Sequence, residues 1–360
     1  MKKILAIALA LVMILGLCAC SAAGEGGAAG GETKVSVFWY DEADVYLSSV
    51  RAELNAELEK AGIKYDNQFA GKDQAKQLEQ IRTAIAGGSN LLVVNVVTSG
   101  DPDVAQSIVD AAGKIPVVFF NRAIGTDGSD VTMLGKNSTA CFIGTDAPEA
   151  GHMQGKMVGE YVLANFDKID LNKDGKISYA MFKGEEGNVE AIYRTQYGVE
   201  DADKVLTAAG KPALVFYDEA NAAKYLLDQN GAWSAAQGQE HMQTLLSKYN
   251  EDNGNMVELV IANNDDMALG AISALQAAGY NVEGARYIPV FGVDATDAAK
   301  EKIADKSMTG TIKQDAEGMA NAVVLIAQNL VAGKGAFEGV NGDLEGTWRI
   351  NIPYAPYTGE

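Results

Sequence analysis

The sequence predicts an α/β protein of two doubly wound lobes, each a parallel sheet covered by helices, with a hinge and an interlobe ligand cleft. Three observations lead there. Short runs that are apolar at nearly every residue alternate with longer amphipathic runs. The alternation occurs as two successive series. The chain, 360 residues and 48% apolar, can fill two cores of ordinary size. A strand that is apolar on both faces belongs inside a parallel sheet with helices on either side.

"KVSVFWY" (34–40) reads as the first strand. "DVYLSSVRAELNAELEKAG" (44–62) follows, with apolar residues at helical spacing and a Gly stop. The pattern repeats through the strand "IKYDNQFA", the helix "AKQLEQIRTAIAGG", the strand "LLVVNVV", the helix "DPDVAQSIVDAAGK" and the strand "PVVFFN". A second series begins near "CFIGTD" (141–146) and runs through "SYAMFKG", "ALVFYDE", "VELVIANND" and "YIPVFGVD", each followed by a helical stretch. "TGTIKQD" (309–315) and the helix after it read as a return to the first lobe. The boundaries expected are 34–121 plus 314–350 for the N-terminal lobe and 122–313 plus 351–360 for the C-terminal lobe. Crossovers of this kind are right-handed, and ligands bind at the carboxyl ends of such strands.

The N-terminus reads as an address. "MKK" is a basic start, and Ile4 to Leu17 is an apolar stretch too short to span a bilayer comfortably. "LCAC" then resembles a bacterial lipobox, which makes residues 1–19 a lipoprotein signal peptide and Cys20 the lipidated first mature residue. Residues 20–33, rich in Gly and Ala, form a flexible tether. Cleavage removes two lysines and no acids, so a net charge of −19 becomes −21. Such a surface repels phosphate backbones and argues against nucleic acid as a partner. Only Cys141 remains in the folded part; it lies in the apolar run "ACFIG" and reads as a buried strand residue.

Strand ends carry the polar residues of interest. Asp44, Asn95, Asn264 and Asp294 fall at or just past predicted strands. Planar carboxylates and amides suit a polyhydroxylated ligand, because each hydroxyl both donates and accepts. The same residue types cap helices, so a structural role competes at each position. Glu190 and Arg194 open a predicted helix at i,i+4 spacing, either as a surface ion pair or as a fork for ligand oxygens. Tyr46 and Trp233 can stack on the two faces of a pyranose ring. Catalysis has little support: His152 and His241 lie in helical stretches, and neither a nucleophile elbow nor a Cys–His pair is apparent.

"DLNKDGKIS" (170–178) opens like an EF-hand loop, with Asp170, Asn172 and Asp174 alternating and Gly175 at the sixth position. The twelfth position, Met181, lacks the closing carboxylate. Together with "VVFFN", "IGTD", "FKGEEG", "VELVIANNDDMALGA" and "IPVFGVDA", this loop makes the chain resemble the bacterial galactose/glucose-binding proteins of sugar ABC importers, from about residue 34 to 354.

The resemblance implies a non-enzymatic, lipid-anchored extracytoplasmic receptor that presents galactose or glucose to ABC transporter permease subunits. The rival partner is a chemoreceptor or sensor kinase, and the rival ligand another aldose. It also implies a structural Ca2+ held by Asp170, Asn172, Asp174, the Lys176 carbonyl, Ser178 and the distant Glu258, with Ser178 standing where the family has Gln. The implied sugar site comprises Asp44, Tyr46, Asn95, Asn188, Glu190, Arg194, Trp233, Asn264, Asp294 and Gln314. Four of these depart from the family's residue: Tyr46 for Phe, Asn188 for His, Glu190 for Asp and Gln314 for Asn.

Overall fold

The computed structural model describes residues 33–126 and 128–359. The predicted signal peptide, Cys20 and the tether up to Glu32 lie outside the described residues. The first half runs β1 (Lys34–Trp39), α1 (Val45–Lys60), β2 (Lys64–Phe69), α2 (Gln74–Ala86), β3 (Leu91–Val94), α3 (Pro102–Ala112), β4 (Val117–Phe120), α4 (Ser129–Leu134) and β5 (Ala140–Gly144). The second half continues with α5 (Ala147–Ile169), β6 (Ser178–Lys183), α6 (Val189–Ala208), β7 (Val215–Phe216), β8 (Leu226–Leu227), α7 (Ala235–Leu246), β9 (Leu259–Ala262), α8 (Asp265–Ala277), β10 (Val290–Asp294), α9 (Asp297–Ala304) and β11 (Gly310–Lys313). After them come α10 (Ala316–Val331), β12 (Asp343–Glu345), β13 (Arg349–Asn351) and β14 (Ala355–Tyr357).

Two sheets result. The first has the order β12-β13-β5-β4-β3-β1-β2, the second β14-β11-β10-β9-β6-β7 with β8 also on β6. Within each, the doubly wound strands are parallel; β12 and β14 add antiparallel edges. Strand order reverses beside β1 in one sheet and beside β6 in the other, which opens a crevice at their carboxyl ends. Central strands are buried at every residue, as in "LLVV" of β3 and "LVIA" of β9, which matches their uniform apolarity.

Two assignments change. Ala140–Gly144, expected to open the second lobe, lies in the first sheet, with Val118 opposite Cys141, so the first lobe extends past residue 121. Gly310–Lys313, which the strand pattern reads as a return to the first lobe although the expected boundary at 313 keeps it in the second, pairs with β10 and stays in the second sheet. The return comes one element later: Met319 and Val323 of α10 share a core with Leu47, Val50 and Leu54 of α1. A short apolar strand carries no mark of which sheet it joins; pairing partners decide that.

The chain crosses between lobes after β5, after β11 and after β13. In the second lobe, α5 and α6 pack closely because Gly155 lets the helices approach; a Cβ there would run into the Tyr197 carbonyl. Cys141 is buried in β5, and burial pushes its thiol up to about 12, as an inert core residue requires.

Candidate functional site

A partly open crevice with a cavity volume of about 50 Å³ lies between the two sheets. Its walls are Tyr40, Asp44 and Tyr46 from the end of β1 and the start of α1, and Asn121 and Arg122 after β4. Across from them stand Asn188, Glu190 and Arg194 at the start of α6, Trp233 before α7, Asn264 before α8, Asp294 ending β10 and Gln314 after β11. Nine of the ten predicted binding residues are therefore brought together.

Capping and lining coincide. Asp44 Oδ1 accepts from Leu47 N at 2.8 Å, capping α1, while its Oδ2 accepts from the Tyr40 hydroxyl at 2.8 Å. Asn188 Oδ1 caps α6 on Ala191 N, and its Nδ2 donates to Glu185. Asn264 Oδ1 caps α8 on Met267 N, and its Nδ2 donates to the Trp233 carbonyl at 3.0 Å. Each cap fixes one side-chain atom and thereby aims the rest of the group. Trp233 lies flat over Gly184, where any Cβ would overlap the indole. Asn121, Trp233 and Asp294 all have positive φ (61°, 56° and 124°), the backbone strain that surrounding structure sustains at functional sites.

Asn95 is not among the residues that line the cavity. It is fully buried and stands behind the wall, with its Nδ2 donating to the Phe120 carbonyl and to Asn121 Oδ1 at 3.2 Å. It holds Asn121, which lines the cavity. Tyr40, Asn121 and Arg122 were missed, although each also follows a strand end and could have been found by applying that rule to "VFWY" and "VVFFNR".

Glu190 and Arg194 are both buried, so the surface ion-pair alternative does not hold. Arg194 donates to the Asn263 carbonyl (3.0 Å), Gln314 Oε1 (3.1 Å) and the Tyr354 hydroxyl (3.1 Å). Burial raises the Glu190 carboxyl, and Arg194 works against that rise. Asp294 is pushed well above the ordinary carboxylate range by burial, again opposed by Arg194, with Asp265 and Asp44 adding repulsion.

The lobes are tied across the cleft. Arg122, held to the first lobe by donating to the Val96 and Val97 carbonyls, forms a two-pronged pair with Glu185 of the second lobe at 2.9 and 3.0 Å. Its guanidinium also covers the Tyr40 ring at 4.0 Å. Lys72 donates to the Asn230 carbonyl at 3.1 Å, a second bridge between the lobes.

The "DLNKDGKIS" loop lies away from this cavity. Glu258 reaches it from just before β9, and its oxygens accept from Asn172 N (2.8 Å) and Ser178 N (2.9 Å). Asn172 and Ser178 turn their side chains onto the Met256 backbone, Asp170 accepts from Asp174 N and Gly175 N, and Asp174 from Lys176 N. The donor set is all oxygen, which suits a hard cation. Glu258 is buried, and its carboxyl is raised by burial and further by the nearby Asp170. Among the described residues no three His, Cys, Asp or Glu side chains gather round one point.

Residues 35–335 match a periplasmic binding protein domain. The D-galactose/methyl-galactoside binding periplasmic protein MglB of Haemophilus influenzae is 33% identical over 330 residues, 91% of this chain and 89% of that protein. The chain belongs to the periplasmic binding protein family. A putative rhizopine-binding protein of Rhizobium meliloti is 28% identical, with 76% of each chain covered. An ABC transporter solute binding protein from Clostridium phytofermentans, solved with bound beta-D-glucose, has the same fold, with a TM-score of 0.68 at 21% identity and 91% and 94% coverage.

Two predictions follow from the geometry. Glu185→Ala removes the second-lobe half of the two-pronged bridge and leaves Arg122 its first-lobe carbonyls. Loss of a charge-assisted bond should speed ligand dissociation by roughly tenfold or more with a smaller change in association, measured by stopped-flow fluorescence. Asp266, raised to about 6 by burial and then by Asp44, gives a pH test. Its stabilising contribution is complete below the unfolded carboxyl pKa, about 3.9, and is lost as pH rises through about 6. Asp266→Asn should therefore melt higher than the parent near neutrality and level with it in acid, checked by calorimetry across pH.

Proposed function

We propose that this protein is the substrate-binding lipoprotein of an ABC importer, working outside the cytoplasm, and that it captures galactose or glucose by closing two lobes around the sugar. One observation carries this reading: polar planar groups from both lobes converge with Tyr46 and Trp233 on a single buried cavity. Carboxylates accept the protons of sugar hydroxyls, Arg194 and the amides donate, and the aromatic rings cover the apolar C–H faces. The names of the Haemophilus relative and of the glucose-bound structure point to the same ligand class.

Closure would be recognised by the permease subunits through the surface that only the closed form presents. Cys20 would carry the lipid anchor, and its Gly-rich tether would keep the lobes near the membrane. The function is binding; the cavity carboxylates serve hydrogen bonding and ion pairing.

We further propose a structural calcium ion held by Asp170, Asn172, Asp174, the Lys176 carbonyl, Ser178 and Glu258. The repulsion of Glu258 by Asp170 supports it, since a divalent ion would supply the charge that offsets the two carboxylates.

Calorimetric titration of the mature chain with glucose, galactose, ribose, arabinose and xylose tests the ligand. Micromolar or tighter hexose binding is the expected result. Binding of a pentose alone would redirect the reading to another aldose, and silence across the panel would remove it. Chelation should lower the melting temperature while leaving sugar binding at room temperature; an unchanged melting temperature after confirmed metal removal would sink the calcium assignment.

A further inference from the structure

Two buried polar atoms on the cavity residues have no partner among the described residues: Tyr46 Oη and Arg194 Nε. They come from opposite lobes, Tyr46 from the first turn of α1 and Arg194 from α6. The Tyr46 ring is buried and lines the same cavity as Arg194 and Asp294; burial raises its phenol, and Asp294 raises it further. A buried hydroxyl or guanidinium N–H without a partner is costly, and proteins keep such groups where something else completes them. A phenylalanine would supply the same stacking face without that cost.

We propose that the Tyr46 hydroxyl is a specificity-determining contact that donates to a hydroxyl oxygen of the bound ring polyol, at the corner shared with Arg194 and Asp294. The proposal rests on the monosaccharide reading of the cleft. At that corner one ligand hydroxyl satisfies all three groups. Its oxygen accepts from Tyr46 Oη and Arg194 Nε, and its proton goes to the Asp294 carboxylate. A ligand lacking that hydroxyl would leave both donors unpaired in a closed cleft. This is the situation in which hydrogen-bonding sites discriminate most strongly. The class selected is therefore a ring polyol oxygenated at this one carbon, with deoxy analogues rejected.

The test compares the parent protein with Tyr46→Phe, using glucose, galactose and the set of mono-deoxy analogues of each, by calorimetry. The parent should reject one analogue by about tenfold or more relative to its hydroxylated sugar, and Tyr46→Phe should shrink that one ratio while leaving the others unchanged. The tyrosine ultraviolet difference band that accompanies sugar binding in the parent should be smaller in the variant, where only the Tyr46 contribution is lost. Identical ratios for every analogue in both proteins overturn the role of Tyr46 and leave the sugar site standing. Failure of the parent to bind any hexose overturns the sugar reading and this inference together.

Discussion

Arg194 is the charge around which the site is organised. Taking a guanidinium out of water costs several kcal/mol unless hydrogen bonds and opposite charge compensate it. Here the compensation comes from a backbone carbonyl, two side chains and the neighbouring Asp294 and Glu190. Two of those partners, Gln314 and Tyr354, lie on segments where the chain passes between lobes. Tyr354 in turn donates to Thr145, on the crossing after β5. Arg194 is thus bonded both to the second lobe and to the crossing segments that join the lobes.

The carboxylates set the second constraint. Asp294, Asp265 and Asp266 crowd the strand ends of the second lobe and are all raised by burial, while Asp44 faces them from the first. Bringing the lobes together concentrates this negative charge. Arg122 opposes it by pairing with Glu185 across the cleft, and Asp265 is quieted by donors from Thr311 and Thr296. The contact between the lobes is consequently a balance of repulsion and a few directed bonds.

Helix capping solves the precision problem of the site. A side chain on a loop has many rotamers, whereas Asp44, Asn188 and Asn264 each have one oxygen fixed on a helix N-terminus. The remaining polar atom then points in a settled direction. Capping and lining the cavity, which compete as explanations when the residues are read singly, fall here on the same side chains.

The sequence alone determined the fold class, because uniform apolarity in strands such as "LLVV" and "LVIA" admits little besides a helix-covered parallel sheet. It also singled out the strand-end residues that now line the cavity, since polar groups interrupting such runs have few places to go. Tertiary structure decided what local pattern cannot encode. β5 reads like any buried strand, and only its pairing with β4 assigns it to the first lobe. Asn95 and Asn121 are both asparagines at strand ends; only packing puts one behind the wall and the other in it. Arg122 and Glu185 are 63 residues apart, and their bridge exists because two separately wound sheets meet at the carboxyl ends of their strands.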